Sequence, residues 1–331
     1  MTSVVSRGAG EHAALLLDRQ LRALIEWHGP VLNDRSPEPL HQLRVSMRRL
    51  RVTLMQFAPL LQLPSDLRSS RLAKTSRRLG LARDLDVLQE RLQQQLLPQL
   101  PEAELELLRP VLKQLRRERR QAHQHVVEHL QGSSYLRWLS HMQRWLRQPA
   151  MTPLAEQSFA DGLLQWQLPW LADLFVHPAW AIESLVSETQ REQLHGLRKQ
   201  IKLARYQLDN CKPLLGRRSR QFQQSFKSMQ EQLGELNDLQ VLQRAIADQL
   251  HASLPADLPV LHGLLKRSEA QSWQAWRQLA SGRSGFAASA QLLGALQADR
   301  RRALLRGRCH AMCSGLHRLV FCDWRAPLVA R

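Results

Sequence analysis

Apolar residues recur every three to four positions along most of the chain, with polar and charged residues between them. That is the period of an amphipathic helix, not the alternation of a strand. Leu43, Met47, Leu50, Leu54, Phe57 and Leu61 form one such stripe, and Leu197, Ile201, Ala204, Leu208, Cys211 and Leu215 form another. No alternating run of β-branched residues reads as a strand, and Leu, Gln, Arg and Ala, which dominate, tolerate helix well. Breaks are expected near Gly29-Pro30, Leu63-Pro64, Pro98 to Pro101, Gly132 to Ser134, Pro149 to Pro153, Pro178, Gly216, Pro255 to Pro259 and Ser281 to Gly285. The segments between them are of bundle length, so the pattern predicts an all-α fold.

The pattern also repeats. His41-Gln-Leu-Arg44-Val-Ser-Met-Arg48-Arg-Leu-Arg51 returns as His195-Gly-Leu-Arg198-Lys-Gln-Ile-Lys202-Leu-Ala-Arg205, an offset of 195 − 41 = 154. The same offset maps Pro59-Leu60-Leu61 onto Pro213-Leu214-Leu215, Leu79-Gly80 onto Leu233-Gly234, and Asp84-Leu85 onto Asp238-Leu239. His, Arg, Pro, Gly and Asp all match in register, so the expectation is a duplicated helical unit. Its halves would span residues 11–150 and 151–325, meeting near residues 150–165.

Charge changes the picture most. The 331 residues carry 47 Lys and Arg against 29 Asp and Glu, 47 − 29 = +18 with His neutral. Apolar residues make up 44 %, which excludes a basic disordered tail. A folded chain with this excess calls for an anionic partner: nucleic acid, an anionic surface or a polyphosphorylated ligand. Four Cys exclude a disulfide scaffold and fit a reducing compartment. The N-terminus has no signal-peptide pattern and no stretch is long and apolar enough to span a membrane, so a cytoplasmic location is expected.

At about 100° per residue, His41, Arg44, Arg48 and Arg51 fall within roughly 80° on a helix, beside the apolar stripe. His195, Arg198, Lys202 and Arg205 do the same in the second copy. Like charges at this spacing repel, and a solvated face would mix in Glu, so the doubled stripe reads as an anion site. Further cations lie on the helix after Pro64 (Arg71, Lys74, Arg77, Arg78, Arg83), on its later counterpart (Lys227), and after Pro110, where Lys113, Arg116, Arg117, Arg120 and His123 share a face. Guanidinium forks bind phosphate oxygens bidentately, whereas Lys adds a point charge.

His41-x-x-Arg44-x-x-x-Arg48-Arg49-x-Arg51 followed by Leu79-Gly80-x-x-Arg83-Asp84-Leu85-Asp86-Val87, with its echo 154 residues on, closely resembles the CHAD family (conserved histidine α-helical domain) over residues 11–325. The resemblance implies two four-helix bundles related by a pseudo-two-fold, a basic central channel, binding of inorganic polyphosphate, and association with polyphosphate granules. Carried over residue by residue, His41, Arg44, Arg48, Arg49 and Arg51 would line the channel with His195, Arg198, Lys202 and Arg205. Lys74, Arg78, Arg83, Arg116, Arg120 and Lys227 would extend it. Asp84 and Asp238 would orient neighbouring arginines. Arg49 becomes Leu203 and Arg83 becomes Asn237 in the second copy, which therefore contributes fewer contacts. The triphosphate-tunnel domain often fused to this family is not recognisable: Glu102, Glu104 and Glu106 only echo its ExExK strand, with no Lys following, and lie in a helical segment. The expectation is a stand-alone, non-catalytic module without cofactor.

Competing readings are weaker. No GxxxxGK[ST], HExxH, GxSxG or His-Asp dipeptide is present, and Asp84 and Asp86 point in different directions on one helix, which disfavours a metal-dependent phosphohydrolase. Cys309, Cys313 and His317, with His310 and Cys322 nearby, have a spacing that could share zinc but read as packing, so no metal site is assigned. His123, His125 and His129 read as a surface cluster. Nucleic acid is the main alternative partner. Yet the basic stripes lack interleaved aromatics for base stacking, since Trp138, Trp145, Trp166, Trp170, Trp180, Trp273 and Trp276 lie elsewhere, so only weak binding at low salt is expected. A membrane-surface role is disfavoured because the basic stripe abuts packing residues.

Overall fold

Leucine- and alanine-rich segments form most of the chain into helices in the computed structural model, which describes residues 8–185, 187–250, 253–281 and 285–320, with side chains to residue 306 apart from 249–250 and 285–286. The described helices are α1 (Ala9–Leu32), α2 (Glu38–Gln56), α3 (Ser69–Arg78), α4 (Gly80–Arg91), α5 (Glu102–Gln131), α6 (Ser133–Arg147), α7 (Leu163–Phe175), α8 (Glu188–Asn210), α9 (Arg217–Leu250), α10 (Leu254–Asp257), α11 (Pro259–Ala280) and α12 (Gly285–Val320). The fold is all-α: among the described residues there is no strand, only isolated bridges pairing Gly8 with Ser158 and Leu61 with Met151. No described helix is long and apolar enough to cross a membrane.

Pro30 and Pro110 fall inside helices, Pro30 at the break expected near Gly29-Pro30. α1 runs through Pro30 to Leu32, and α5 runs unbroken through Pro110. A proline inside a helix removes one hydrogen bond and costs roughly 3 kcal/mol. In α5, Leu108, Val111 and Leu115 on either side of Pro110 are buried, and α5 packs along α4, so packing offsets that loss. Conversely, the segment after Pro64 is not one helix: a 3-10 turn at Ser65–Leu67 precedes α3, and the chain bends at Leu79 before α4. The aligned later segment is the uninterrupted α9. The start of α8 is fixed by a capping box in which Ser187 Oγ accepts the Gln190 N–H at 3.2 Å and Gln190 Oε1 accepts the Ser187 N–H at 3.0 Å.

α1 packs along α2, α8 along α9, α9 along α11, and α7 against both α8 and α12. One continuous apolar cluster extends from Ala9 to Ala303. Glu104, buried at the start of α5, caps a distant helix: its carboxylate accepts the Val260 and Leu261 N–H groups at 2.7 and 2.9 Å, where α11 begins. An acidic group there suits the positive end of a helix.

Helices α2 and α8 meet across a buried polar seam. Asn210 Nδ2 donates to Gln56 Oε1 at 2.8 Å and to Thr53 Oγ1 at 3.1 Å. Gln56 Nε2 donates to the Gln207 carbonyl at 3.3 Å, and Gln167 Nε2 to the same carbonyl at 3.3 Å and to Cys211 Sγ at 3.1 Å. His12 Nε2 donates to the Asn210 carbonyl at 2.9 Å. Buried polar groups like these are stabilising only when paired, because each orphan carries a desolvation penalty. Asn210→Ala removes two donors and leaves the Gln56 amide oxygen unpaired. It is expected to lower stability by about 2 to 3 kcal/mol, read as a shift of the urea midpoint; a loss under about 0.5 kcal/mol would show that the seam does not fix the crossing.

Candidate functional site

The apolar faces of α2 and α8 decide where their charges go. Leu43, Met47, Leu50 and Leu54 on one helix and Leu197, Ile201, Ala204 and Leu208 on the other are fully or almost fully buried. His41, Arg44, Arg48 and Arg51, and His195, Arg198, Lys202 and Arg205, are therefore carried on the neighbouring face, half-buried at the edge of the core. Where the helices meet, the two sets act on each other. Lys202 is pushed down to about 6 by burial and then by Arg48, Arg198, Arg44 and Arg205. Arg198 is lowered by burial, opposed by Asp238, and feels both Arg48 and Asp84. Side chains 154 residues apart thus share one electrostatic environment.

Two glycines give the arginines their places. Arg44 Nη1 donates to the Ser76 carbonyl at 2.8 Å and lies over Gly80, where a Cβ would stand 3.5 Å from it. Arg198 lies over Gly234, where a Cβ would come within 3.2 Å of Nη2. One helical turn beyond each glycine stands an acid, Asp84 or Asp238. Asp84 is raised by burial, a rise opposed by Arg44 and reinforced by Asp238, so the two carboxylates face a common space. Each acts electrostatically on its nearer arginine, Asp84 on Arg44 and Asp238 on Arg198.

That leaves an excess of cations. His41 is lowered by burial and by Arg83, Arg48 and Arg44, with Glu38 opposing. His195 is lowered by burial, Lys199, Arg198 and Lys202, while a hydrogen bond that its imidazole donates to Asn237 opposes. Arg51 is lowered by burial, Arg77 and Arg48. Arg51 Nε, Arg198 Nε and His195 Nδ1 are buried with no hydrogen-bond partner. Lone donors and crowded cations of this kind suit a multivalent anion, whose oxygens would accept from several of them.

The other candidates are spread more widely. Arg83 stands within reach of His41 and Arg44. Arg49 is exposed, 6.0 Å over the Tyr206 ring, whose face also carries Arg205 at 4.6 Å. Arg205 Nε donates to Gln230 Oε1 at 3.1 Å. Arg78 is exposed and donates to His129 Nδ1 at 3.0 Å. Lys74, Arg116 and Arg120 are exposed, and Lys227 is exposed 3.8 Å from Glu231. Arg77, Lys199, Asn237 and the Ser76 carbonyl join the cluster although the motif did not single them out. Lys199 stands one turn after His195 on α8, whereas Arg77, Asn237 and Ser76 come in by proximity across the α2–α3 and α8–α9 contacts, invisible in a linear pattern.

His123 is a correction. It is 7 % exposed, with Nε2 3.0 Å from the Val31 carbonyl and 3.4 Å from Asp34 Oδ1, so it faces α1 and not solvent. Its neighbour Arg119 is held by Asp34 and, at 2.8 Å, by Asp86, which anchors α5 to α4. Among the described residues no group of His, Cys, Asp or Glu is placed to hold a metal ion; the side chains of Cys309, His310, Cys313, His317 and Cys322 lie outside the described residues.

The family model for the CHAD domain matches residues 15–247. Among solved structures, the chain is similar to the CHAD domain from the plant Ricinus communis, at 24 % identity over 90 % of this chain and 93 % of that one, with a TM-score of 0.58. It is also similar to PptA from Streptomyces chartreusis, at 20 % identity over 83 % of this chain and 99 % of that one, with a TM-score of 0.62. At these identities the likeness speaks for the fold. No curated protein matches the chain.

Lys202 yields a stability prediction. Its folded pKa of about 6 lies below its ordinary 10.5, so between those values the unfolded chain holds a proton that the folded chain does not. Without ligand, its contribution to stability falls as pH drops from 10.5 to about 6, and flattens below. Lys202→Met is expected to raise Tm at pH 7 and to flatten this slope, read by thermal melts from pH 5.5 to 9. A Tm unchanged or lowered at every pH would mean that the amine is not under strain.

Proposed function

The chain belongs to the CHAD family, and from that membership we propose that it binds inorganic polyphosphate without catalysis, through a basic channel lined by both sequence repeats, and that this binding targets it to polyphosphate granules. The unit doing so is residues 11–325, built from repeats 11–150 and 151–325. The observation that carries the reading is the Lys202 environment: four arginines stand around one buried amine, an arrangement whose charge a dense array of negative groups would offset.

Other features support it. Asn210 and Gln56, 210 − 56 = 154 apart, bond each other at 2.8 Å, as residues at equivalent places beside a two-fold would. The cations outnumber Asp84 and Asp238, so net positive charge remains after internal pairing. Each charge-assisted phosphate contact contributes about 1.5 to 3 kcal/mol, and a polymer makes many in series. Salt weakens such binding steeply because counterions are released from the polyanion. The cluster presents guanidinium and imidazole groups to phosphates and no row of aromatic rings to bases, which favours polyphosphate over nucleic acid.

Bound polyanion favours the protonated forms of Lys202, His41 and His195, all lowered in the free protein. Binding therefore takes up protons, and affinity is expected to rise as pH falls from 8 to 6; affinity flat over that range would remove these three residues from the site. The deciding experiment is a competition titration at about 150 mM salt, with long-chain polyphosphate against single- and double-stranded DNA at equal phosphate concentration. Polyphosphate is expected to win by about tenfold or more, a difference of about 1.4 kcal/mol. Both Arg44→Ala/Arg48→Ala and Arg198→Ala/Lys202→Ala are expected to weaken it. Equal binding of all polymers, indifferent to the substitutions, would leave only a generic basic surface.

A further inference from the structure

We propose that the junction of α9 and α12 forms a second anion site, separate from the α2–α8 cluster, that takes a triphosphate group. A cavity of about 560 Å³ opens there, with Arg217 and Arg220 on the first turn of α9 and Asp299, Arg302 and Arg306 on α12 among its walls. That volume lies in the range of small-ligand sites. All four arginines are exposed, and they stand three or four residues apart on their helices, a spacing at which like charges repel.

The one acid of the cavity is already committed. Asp299 is 2 % exposed; its Oδ2 accepts the Gly216 N–H at 2.8 Å and the Ser219 hydroxyl at 2.6 Å, and its Oδ1 accepts from Arg302. Its charge is thus used to tie the start of α9 to α12 and to hold the Arg302 guanidinium at the rim. A side chain on residue 216 would collide with Asp299 and Arg302, so glycine there permits the contact. Among the described residues none forms an ion pair with Arg217 or Arg220. Guanidinium groups from two helices facing one cavity match the several oxygens of linked phosphates, each fork taking two.

The site is distinct from the central cluster. Arg205, at the end of that cluster, bonds Gln230, ten residues beyond Arg220 on α9, or about 15 Å along a helix. The triphosphate could be free inorganic tripolyphosphate or the tail of a nucleoside triphosphate, and both serve as probes.

The test is calorimetric titration of the full chain with tripolyphosphate and with ATP at about 50 mM salt. It is run on wild type, Arg48→Ala/Lys202→Ala, Arg217→Ala/Arg220→Ala, and the fourfold combination. Arg48→Ala/Lys202→Ala is expected to retain one binding event for at least one probe, which Arg217→Ala/Arg220→Ala weakens tenfold or more in that background. No residual event in Arg48→Ala/Lys202→Ala, or one indifferent to Arg217→Ala/Arg220→Ala, would overturn the proposal. A failure of the central cluster shows differently, as wild-type stoichiometry unchanged by Arg48→Ala/Lys202→Ala. Arg217 and Arg220 are exposed, so melting curves should match wild type and separate lost binding from lost fold.

Discussion

Mutual repulsion among cations is the constraint on which the rest of this structure depends. Burial first, and then the charges of Arg48, Arg198, Arg44 and Arg205 standing close by, push the Lys202 amine down to about 6. An isolated helix pair carrying these residues would turn the stripes apart. Here each helix is pinned from behind: α1 packs along α2, α9 along α8, and the leucines of both stripes sit in one continuous apolar cluster. Apolar burial at about 25 cal/mol per Å² supplies the force that holds the charges together. Proteins commonly accept such local destabilisation at working sites.

The crossing itself needs more than apolar packing, since smooth leucine faces slide at little penalty. The seam of Thr53, Gln56, Gln167, Gln207, Asn210 and His12 supplies direction. A slip of one turn would strand the paired Gln56 and Asn210 amides in the interior, each with a penalty of about 1 to 3 kcal/mol. The seam lies directly beyond Arg48 and Lys202 in sequence on both helices, so fixing Gln56 against Asn210 also fixes how closely the charges approach. Gly80 and Gly234 then admit Arg44 and Arg198 flat against the neighbouring helices, where Asp84 and Asp238 partly neutralise them.

Much of this was legible in the linear pattern, and the reasons differ from residue to residue. The all-α class follows from periodicity, and the Leu-Gly and Asp-Leu pairs recurring at one offset mark positions that matter. What each position does was not legible. Gly80 and Gly234 look like ordinary helix punctuation until Arg44 and Arg198 are seen lying over them. Pro110 is a breaker by local rule, overruled because Leu108, Val111 and Leu115 are buried around it. His123 belongs to a basic face by angle alone, yet the turn after α1 brings the Val31 carbonyl and Asp34 to meet it. Glu104 caps α11 more than 150 residues away, a long-range pairing for which no local pattern exists. Patterns report faces; they do not report what a face meets.

The acids show how the same arithmetic of charge separates scaffold from site. Asp34 and Asp86 both close on Arg119, and Asp299 closes on Arg302, Ser219 and Gly216. In each case a carboxylate pairs with partners on another helix or turn, and the result is an anchor, although Asp86 Oδ2 is left without a partner. Around Lys202 the balance fails: two carboxylates stand among more cations, and two of the donors there, Arg51 Nε and Arg198 Nε, end in no acceptor. An anchor with spare donors would be a poor one, because unpaired buried groups weaken the fold they belong to. Under the proposed function an acceptor arrives from outside, and the cations left over would suit one with many oxygens, high charge density and enough length to reach both helices.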